Sequence, residues 1–294
     1  MLDGTIIKGI GGFYYINTQS GIYECRARGK FRKEKITPTV GDYVQISVLD
    51  EENKKGSLDV IKPRKNQLIR PKVANVDQAL IIFAAVSPQF NPDLLDRFLI
   101  LAEEQKLEIT ICINKIDLDK NRDFEKYSNL YTEAGYKVIP VSAHEKINID
   151  ELKKCVQNKI SVVAGPSGAG KSSLINCLNP NFSLETGEIS RKIERGRHTT
   201  RHAELMEIFG NSFIVDSPGF TSLYLDNIEP KKLQEYFPEF RQYYNNCRFS
   251  SCVHINEPDC CVKEHVGKDI NPVRYEKYVA LYNEINEIYQ ERKR

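Results

Sequence analysis

No apolar run in the 294-residue sequence reaches the roughly 18 residues that would suggest a membrane-spanning helix, so none is expected. Neither sign of charge is in excess, with 42 Lys and Arg against 40 Asp and Glu and a net charge of +2. The overall field is therefore weak, and any affinity for nucleic acid must come from local patches. The opening stretch MLDGTIIKGIGG has no basic leader followed by an apolar core, so no signal peptide is expected. There is no internal repeat and no long low-complexity segment. These absences point to a cytoplasmic protein with no membrane partner.

The cysteines are present but not in a disulfide-like array. Cys25, Cys112, Cys155 and Cys177 are scattered, mostly in apolar surroundings, and read as reduced thiols. Cys247, Cys252, Cys260 and Cys261 bunch around His254. In a cytoplasmic chain such bunching suggests a metal rather than disulfides.

Residues 1–65 carry short alternating or β-branched runs: GTIIKGI, GFYYINT, GIYECRAR, DYVQISVLD and SLDVIKP. Gly, Asn and Asp punctuate them. Five such strands in so short a span suggest an OB-like barrel. Arg26, Arg28, Lys30, Arg32, Lys33 and Lys35 make one stretch basic, with Tyr23 and Phe31 interleaved, a composition suited to RNA. It also fits a solvated hairpin tip.

A basic connector with two prolines, residues 62–77, precedes a change of pattern. Apolar strands QALIIFAAV, LEITICI, YKVIPV, KISVVA, ELMEIF and NSFIVD follow. Between the first four lie helical stretches such as LLDRFLILAEEQ and NIDELKKCVQN. That alternation predicts a mostly parallel sheet with helices on both faces. Beyond residue 222 the strands stop. EPKKLQEYFPEF reads as helical, and Tyr278, Leu281, Tyr282, Ile285, Ile288 and Tyr289 fall at the spacing of one buried helix face.

GPSGAGKSS, residues 165–173, matches the phosphate-loop pattern, follows a strand and opens a helix, which is the context that pattern requires. Gly165, Gly168 and Gly170 let backbone N–H groups turn inward around the phosphates, with Pro166, Ser167 and Ala169 completing the GTP-binding loop between them. Lys171 is placed for the β- and γ-phosphates, Ser172 for Mg²⁺, and Ser173 continues the loop into the helix. The loop does not name the base. NKID does so if it is a guanine-reading loop. The Asp117 carboxylate can accept hydrogen bonds from guanine N1–H and N2–H₂, and adenine offers neither. A site built to pair such a group rejects the analogue lacking it by roughly 10⁴-fold. Asn114 would hold the loop and Lys115 cover the ring. Two further signals support this. VSA ends the next strand, where Ser142 and the Ala143 N–H could meet guanine O6. DSPG ends a later one, with Asp216 as a Mg²⁺ carboxylate and Gly219 offering its N–H to the γ-phosphate. Between them the polar GEISRKIERGRHTTRH holds Thr200, or less favourably Thr199, as a Mg²⁺ ligand.

In an ordinary GTPase the phosphate loop comes first. Here NKID and VSA precede it, so the expected fold is a circularly permuted P-loop α/β GTPase domain. Cutting one loop and joining nearby termini leaves the packed sheet intact. The C-terminal pattern Cys247-x4-Cys252-x-His254-x5-Cys260 predicts one closed tetrahedral Zn²⁺ site, structural in role, with Cys261 and His265 as spare candidates. The domains are placed at 1–66 (OB-like barrel), 67–221 (permuted GTPase) and 222–294 (mostly helical, zinc-binding).

Taken together, RPKVANVDQ, NKIDL, GPSGAGKSSLIN, GRHTTRH, DSPGF and the cysteine spacing resemble the RsgA family of small ribosomal subunit biogenesis GTPases, also called YjeQ or YloQ. The resemblance covers essentially the whole chain. It implies a cytoplasmic enzyme that binds the small ribosomal subunit late in its maturation and leaves on ribosome-stimulated hydrolysis of GTP to GDP. A monomer that binds rRNA is expected. Phe220 stands where Ras-like enzymes carry a water-orienting Gln. That leaves His198, two residues before Thr200, as the candidate catalytic group, with His202 the weaker alternative.

Overall fold

The computed structural model describes residues 1–68, 71–179, 203–216 and 225–293. Two compact units divide the chain. One comprises Met1–Leu80, Ile149–Ser167 and Lys171–Thr221; the other comprises Ile81–Asn148, Gly168–Gly170 and Ser222–Arg294.

In the first unit, β1 (Leu2–Ile10), β2 (Phe13–Thr18), β3 (Gly21–Ala27), β4 (Tyr43–Asp50) and β5 (Lys55–Ile61) close into a barrel in the order β1-β2-β3-β5-β4. All neighbouring strands pair antiparallel except β3 and β5. Alternation decides what fills it: Ile6, Ile16, Tyr23, Cys25, Val44, Ile46 and Leu58 are fully buried. The five strands read from the sequence are the five observed. The aromatic residues of the basic stretch are not on its surface, however. Tyr23 is a core side chain whose hydroxyl donates to Glu51 Oε1 at 2.8 Å, and Phe31 is buried in the one-turn helix α1 (Lys30–Lys33). The six basic residues themselves are exposed.

The basic connector is not a free linker. Arg64 clamps the fully buried Asp42 through Nε–Oδ1 at 2.6 Å and Nη2–Oδ2 at 2.8 Å. A small ladder, β6 (Gln67–Leu68) with β7 (Val73–Ala74), follows. At Gly41 a Cβ would lie 2.1 Å from the Ala74 carbonyl oxygen, so only glycine lets β7 approach the barrel there.

A six-stranded sheet has the order β10-β9-β8-β11-β13-β12. Its members are β8 (Gln78–Ala84), β9 (Glu108–Asn114), β10 (Lys137–Pro140), β11 (Ile160–Ala164), β12 (Leu205–Phe209) and β13 (Ser212–Asp216). Every residue of β8 is buried, as expected of a strand covered on both faces. In the first unit β11 pairs parallel with β13, and β12 returns antiparallel. Helices α4 (Ile149–Val156) and α5 (Lys171–Leu178) also belong here. In the second unit β9 and β10 are parallel, flanked by α2 (Pro92–Glu104) and α3 (Phe124–Glu133). The N-terminus of α2 is set by Pro92 at its first turn and by Asn91, whose side chain accepts from the Leu94 N–H.

EPKKLQEYFPEF forms two 3-10 pieces, Pro230–Tyr236 and Pro238–Phe240, rather than one α-helix. Pro238 lacks an N–H and holds Phe237 extended, which ends the first piece. Among the described residues two further α-helices follow, the one-turn α6 (Cys261–Glu264) and α7 (Pro272–Glu291). Tyr278, Leu281 and Ile285 of α7 are buried, and Tyr282, Ile288 and Tyr289 partly so, as the spacing predicts. Tyr278, Leu281, Tyr282 and Ile285 join Ile100 of α2, Phe237, Phe240, Cys252 and Cys260 in one core. Among the described residues no helix is long and apolar enough to cross a membrane.

Candidate nucleotide site and metal centre

NKID sits where β9 ends. Asn114, 1% exposed, ties two loops together: its Nδ2 donates to the Ala169 carbonyl at 2.9 Å and its Oδ1 accepts from the Ala143 N–H at 3.2 Å. Gly170, with φ +89°, makes this possible, since a Cβ there would stand 2.2 Å from Asn114 Nδ2. Lys115 is left-handed at φ 62°, and its ammonium donates to the Ser87 carbonyl. Asp117 lies in the 3-10 turn Ile116–Leu118. The buried Ser142 hydroxyl donates to Asp117 Oδ1 at 2.5 Å and accepts from the Glu145 N–H at 3.0 Å. Ser142 and the Ala143 N–H, expected at guanine O6, are thus engaged with Asp117 and Asn114 in this structure. Ser142 thereby orients the Asp117 carboxylate.

Three glycines of the phosphate loop, Gly165, Gly168 and Gly170, have φ of 133°, 79° and 89°. Only such a backbone turns successive N–H groups inward. Pro166, Ser167 and Ala169 lie between them, and Ser172 and Ser173 open α5. Lys171 is 5% exposed, and its ammonium donates to the carbonyls of Gly165 at 2.9 Å and Pro166 at 2.7 Å. It is thereby held over the loop where phosphate would sit. α5 opens at the end of the same loop, and the N–H groups of a helix's first turn have no acceptor within the helix itself. Asp216 ends β13 in register with Val163 of β11, two positions before Gly165. Gly219, His198, Thr199, Thr200, His202 and Phe220 lie outside the described residues.

The second cluster is assembled from the loops ahead of α6. Cys247 Sγ, Cys252 Sγ, His254 Nδ1 and Cys260 Sγ all lie within 4.8 Å of one another. His254 Nδ1 is 3.5, 3.4 and 3.3 Å from the three sulfurs, and Cys247 and Cys260 are 3.9 Å apart. A tetrahedral ion with bonds of about 2.3 Å to sulfur and about 2.0–2.1 Å to nitrogen sets its ligand atoms roughly 3.5–3.8 Å apart, so the four fit one metal ion. His254 is fully buried, and burial lowers its pKa to about 4, which keeps the ring neutral. Its Nε2 lies 2.6 Å from Gln234 Oε1, an acceptor, so that nitrogen carries the proton and Nδ1 presents its lone pair to the sulfurs. Burial also pushes the Cys252 thiol up to about 12 and Cys260 above its ordinary value. Thiolates there need a cation beside them. Cys261 is outside the cluster, its sulfur 3.9 Å from His265 Nδ1, and the His265 ring stacks on Tyr243. Gln234 and Ser87 carry no motif and were not evident from sequence; Gln234 is twenty residues from the histidine it orients.

A guanine-type loop, a glycine-bent phosphate loop and an acidic strand end, in permuted chain order, define a circularly permuted GTPase. The RsgA GTPase family model matches residues 61–226, and the RsgA N-terminal domain model matches 3–58. The chain belongs to the RsgA GTPase family and is a GTP hydrolase. A relative from Alkaliphilus metalliredigens, named small ribosomal subunit biogenesis GTPase RsgA, is 47% identical over 97% of this chain and 98% of its own. One of the same name from Caldanaerobacter subterraneus subsp. tengcongensis is 48% identical over 97% and 96%. Among solved structures, YloQ, described as a circularly permuted GTPase, superposes with a TM-score of 0.80 at 37% identity, covering 98% of this chain and 96% of that one. YjeQ from Thermotoga maritima gives 0.83 at 36%, covering 97% and 98%.

Proposed function

We propose that this GTPase acts in late maturation of the small (30S) ribosomal subunit, binds its rRNA, is stimulated by it, and leaves when GTP becomes GDP. The observation that carries this reading is near-full-length similarity to proteins named for small-subunit biogenesis. The exposed row Arg26, Arg28, Lys30, Arg32, Lys33 and Lys35 supports it, as a phosphate-binding face on a barrel otherwise short of charge excess. The domains are those placed at 1–66, 67–221 and 222–294.

In this reading Asn114, Lys115 and Asp117 recognise guanine, with Ser142 and Ala143 behind them. Residues 165–173 and Gly219 bind the phosphates. Ser172, Thr200 and Asp216 hold Mg²⁺, which would neutralise charge on the β- and γ-oxygens. His198 positions the attacking water. Cys247, Cys252, His254 and Cys260 hold one structural Zn²⁺, the ion that three thiolates and an imidazole at these spacings suit best. The protein works as a cytoplasmic monomer.

The test is GTP turnover with and without purified small subunits. Marked stimulation, together with trapping on the subunit by a non-hydrolysable GTP analogue, supports the reading. Unchanged turnover, with release independent of hydrolysis, would instead make the protein an assembly placeholder whose nucleotide only sets affinity.

A further inference from the structure

Within the first unit two open strand edges meet. β1 pairs with β4 from Leu2 to Thr5 and then runs on to Ile10. β12 is the outermost strand of the six-stranded sheet. Among the described residues the two strands touch in one antiparallel bridge, Lys8 to Glu204. The Lys8 ammonium donates to Glu204 Oε1 at 3.0 Å, and Asn17 Nδ2 of β2 donates to Glu207 Oε2 at 2.8 Å. A cavity of about 660 Å³ separates Thr5, Asn17 and Tyr43 from Glu207, Asn211 and Phe213. Another, of about 350 Å³, lies between Gly9, Tyr14 and Ala203. The contact is therefore a narrow polar seam with open space beside it. The barrel also has a separate attachment through the connector. There the Asp77 N–H donates to the Ile160 carbonyl at 2.9 Å, and Asp77 Oδ2 accepts from the Ile160 N–H at 2.8 Å. Opening the seam leaves that attachment in place.

β12 and β13 join the two segments assigned above to the γ-phosphate. Glu204 stands four positions after Thr200 in the sequence. Leu205 pairs with Val215, the neighbour of Asp216, and Gly219 follows three positions later. GDP has no γ-phosphate. A ligand shifts an equilibrium only through contacts that differ between the two states, so a device acting on these segments separates GTP from GDP. We propose that Lys8 and Asn17 of the barrel are positioning residues for the GTP-bound state. By fixing β12 they lower the ordering cost of bringing the adjoining residues to the γ-phosphate and its Mg²⁺. By linkage, GTP tightens the seam as much as the seam tightens GTP, and a ligand that draws the barrel off β12 lowers the preference for GTP. The inference rests on the reading of Thr200 and Gly219 as γ-phosphate contacts, and its test needs neither RNA nor ribosome.

Fluorescently labelled GDP and a non-hydrolysable GTP analogue are titrated with the full-length protein in the presence of Mg²⁺. Lys8→Glu and Glu204→Lys should each weaken the analogue about fivefold, the upper range for an exposed ion pair. GDP affinity and melting temperature should stay at the wild-type values. The double exchange, Lys8→Glu with Glu204→Lys, restores the pair with its charges swapped and should return the analogue to within about twofold of wild type. If charge reversal unfolds the barrel, Lys8→Met and Asn17→Ala, which add no repulsion, should weaken the analogue alone by a smaller factor. Equal weakening of both nucleotides would make Lys8 a merely structural residue and overturn the proposal. An analogue affinity that reversal leaves unchanged, or that the swap does not restore, overturns it as well. Thr200→Ala tests the underlying reading by itself: if it binds the analogue as tightly as the wild type, that reading fails, while the Lys8 series still decides the seam.

Discussion

Arg274 of α7 and Asp96 of α2 form an ion pair with side chains only 2% and 1% exposed. The same guanidinium bonds Glu239 Oε1 through Nε at 2.7 Å and lies 4.8 Å from the centre of the Phe237 ring. Removing a charge from such a network strands its partners, typically at a cost of about 3–5 kcal/mol. Arg274→Met should lower the stability of the protein by that order, read from urea unfolding. Lys at 274 cannot fork to two carboxylates and should rescue little. Burial already raises the Asp96 carboxyl above its ordinary value. With the cation gone it binds its proton still more tightly when folded than when unfolded, so the deficit should shrink as pH falls from 7 toward 5. A loss under about 1 kcal/mol, within the range of an exposed pair, would mean that the network adds no more than surface charges do.

The barrel, the permuted sheet and both candidate sites were legible because each rests on local pattern. Alternation exposes a strand such as FYYINT, and the phosphate loop and cysteine set are short stretches with diagnostic spacing. Arg274 was not legible. It falls one turn before Tyr278 on the buried face, yet an arginine ordinarily reads as solvated, and its partners are more than thirty residues away in sequence. Tyr23 and Phe31 misled for the opposite reason: beside so many basic residues they resembled a stacking surface, whereas strand alternation and barrel closure turn them inward. EPKKLQEYFPEF has helical apolar spacing, but its prolines cut it into 3-10 turns.

Asp117→Asn should weaken GTP and favour xanthosine triphosphate. Xanthine replaces the exocyclic amino group with a carbonyl, which an amide donor suits better than a carboxylate. Ser142→Ala removes the 2.5 Å bond that aims the carboxylate and should weaken GTP without creating xanthine preference. Calorimetric titration of both nucleotides checks this. If Asp117→Asn binds GTP like the wild type, NKID is a turn and not a base reader.

About one Zn²⁺ per chain should remain after gel filtration, the stoichiometry of a closed four-ligand site. Cys252→Ala should lose it and loosen residues 240–265 while GTP binding persists. Gln234→Ala leaves all four ligands but frees the His254 ring, and removing an orienting partner of this kind weakens metal binding about 10–100-fold. Competition with a chromogenic chelator measures both. Full retention in Cys252→Ala would move the site toward Cys261 or His265.

Phe220 cannot orient water by hydrogen bonding, so unassisted hydrolysis should be slow, no faster than the roughly 10⁻⁴–10⁻³ s⁻¹ of unassisted Ras. His198→Ala should keep GTP and subunit binding but lose most subunit-stimulated turnover, since a positioned acid–base group typically contributes about 10²–10⁴-fold. His202→Ala serves as the control. Stimulated turnover of His198→Ala within about threefold of wild type, well below that range, would rule His198 out as the water-positioning group.

On the barrel, the basic residues are not equivalent. Arg28 is ion-paired with buried Asp59, Nε to Oδ1 2.7 Å, so replacing it perturbs folding as well as charge. Arg26 lies over the Phe13 ring at 4.5 Å, and Arg26 and Lys30 are both exposed. Reversing Arg26 and Lys30 together should therefore weaken subunit binding without unfolding the barrel. Each phosphate that the protein no longer neutralises takes roughly 0.7–0.9 off the slope of log affinity against log salt, so the double reversal should flatten that slope by about 1.4–1.8 if both touch phosphate. Binding measured between low and physiological salt gives the slope directly. An unchanged slope with unchanged affinity would make this face a solvated hairpin and move the RNA-binding surface elsewhere on the molecule.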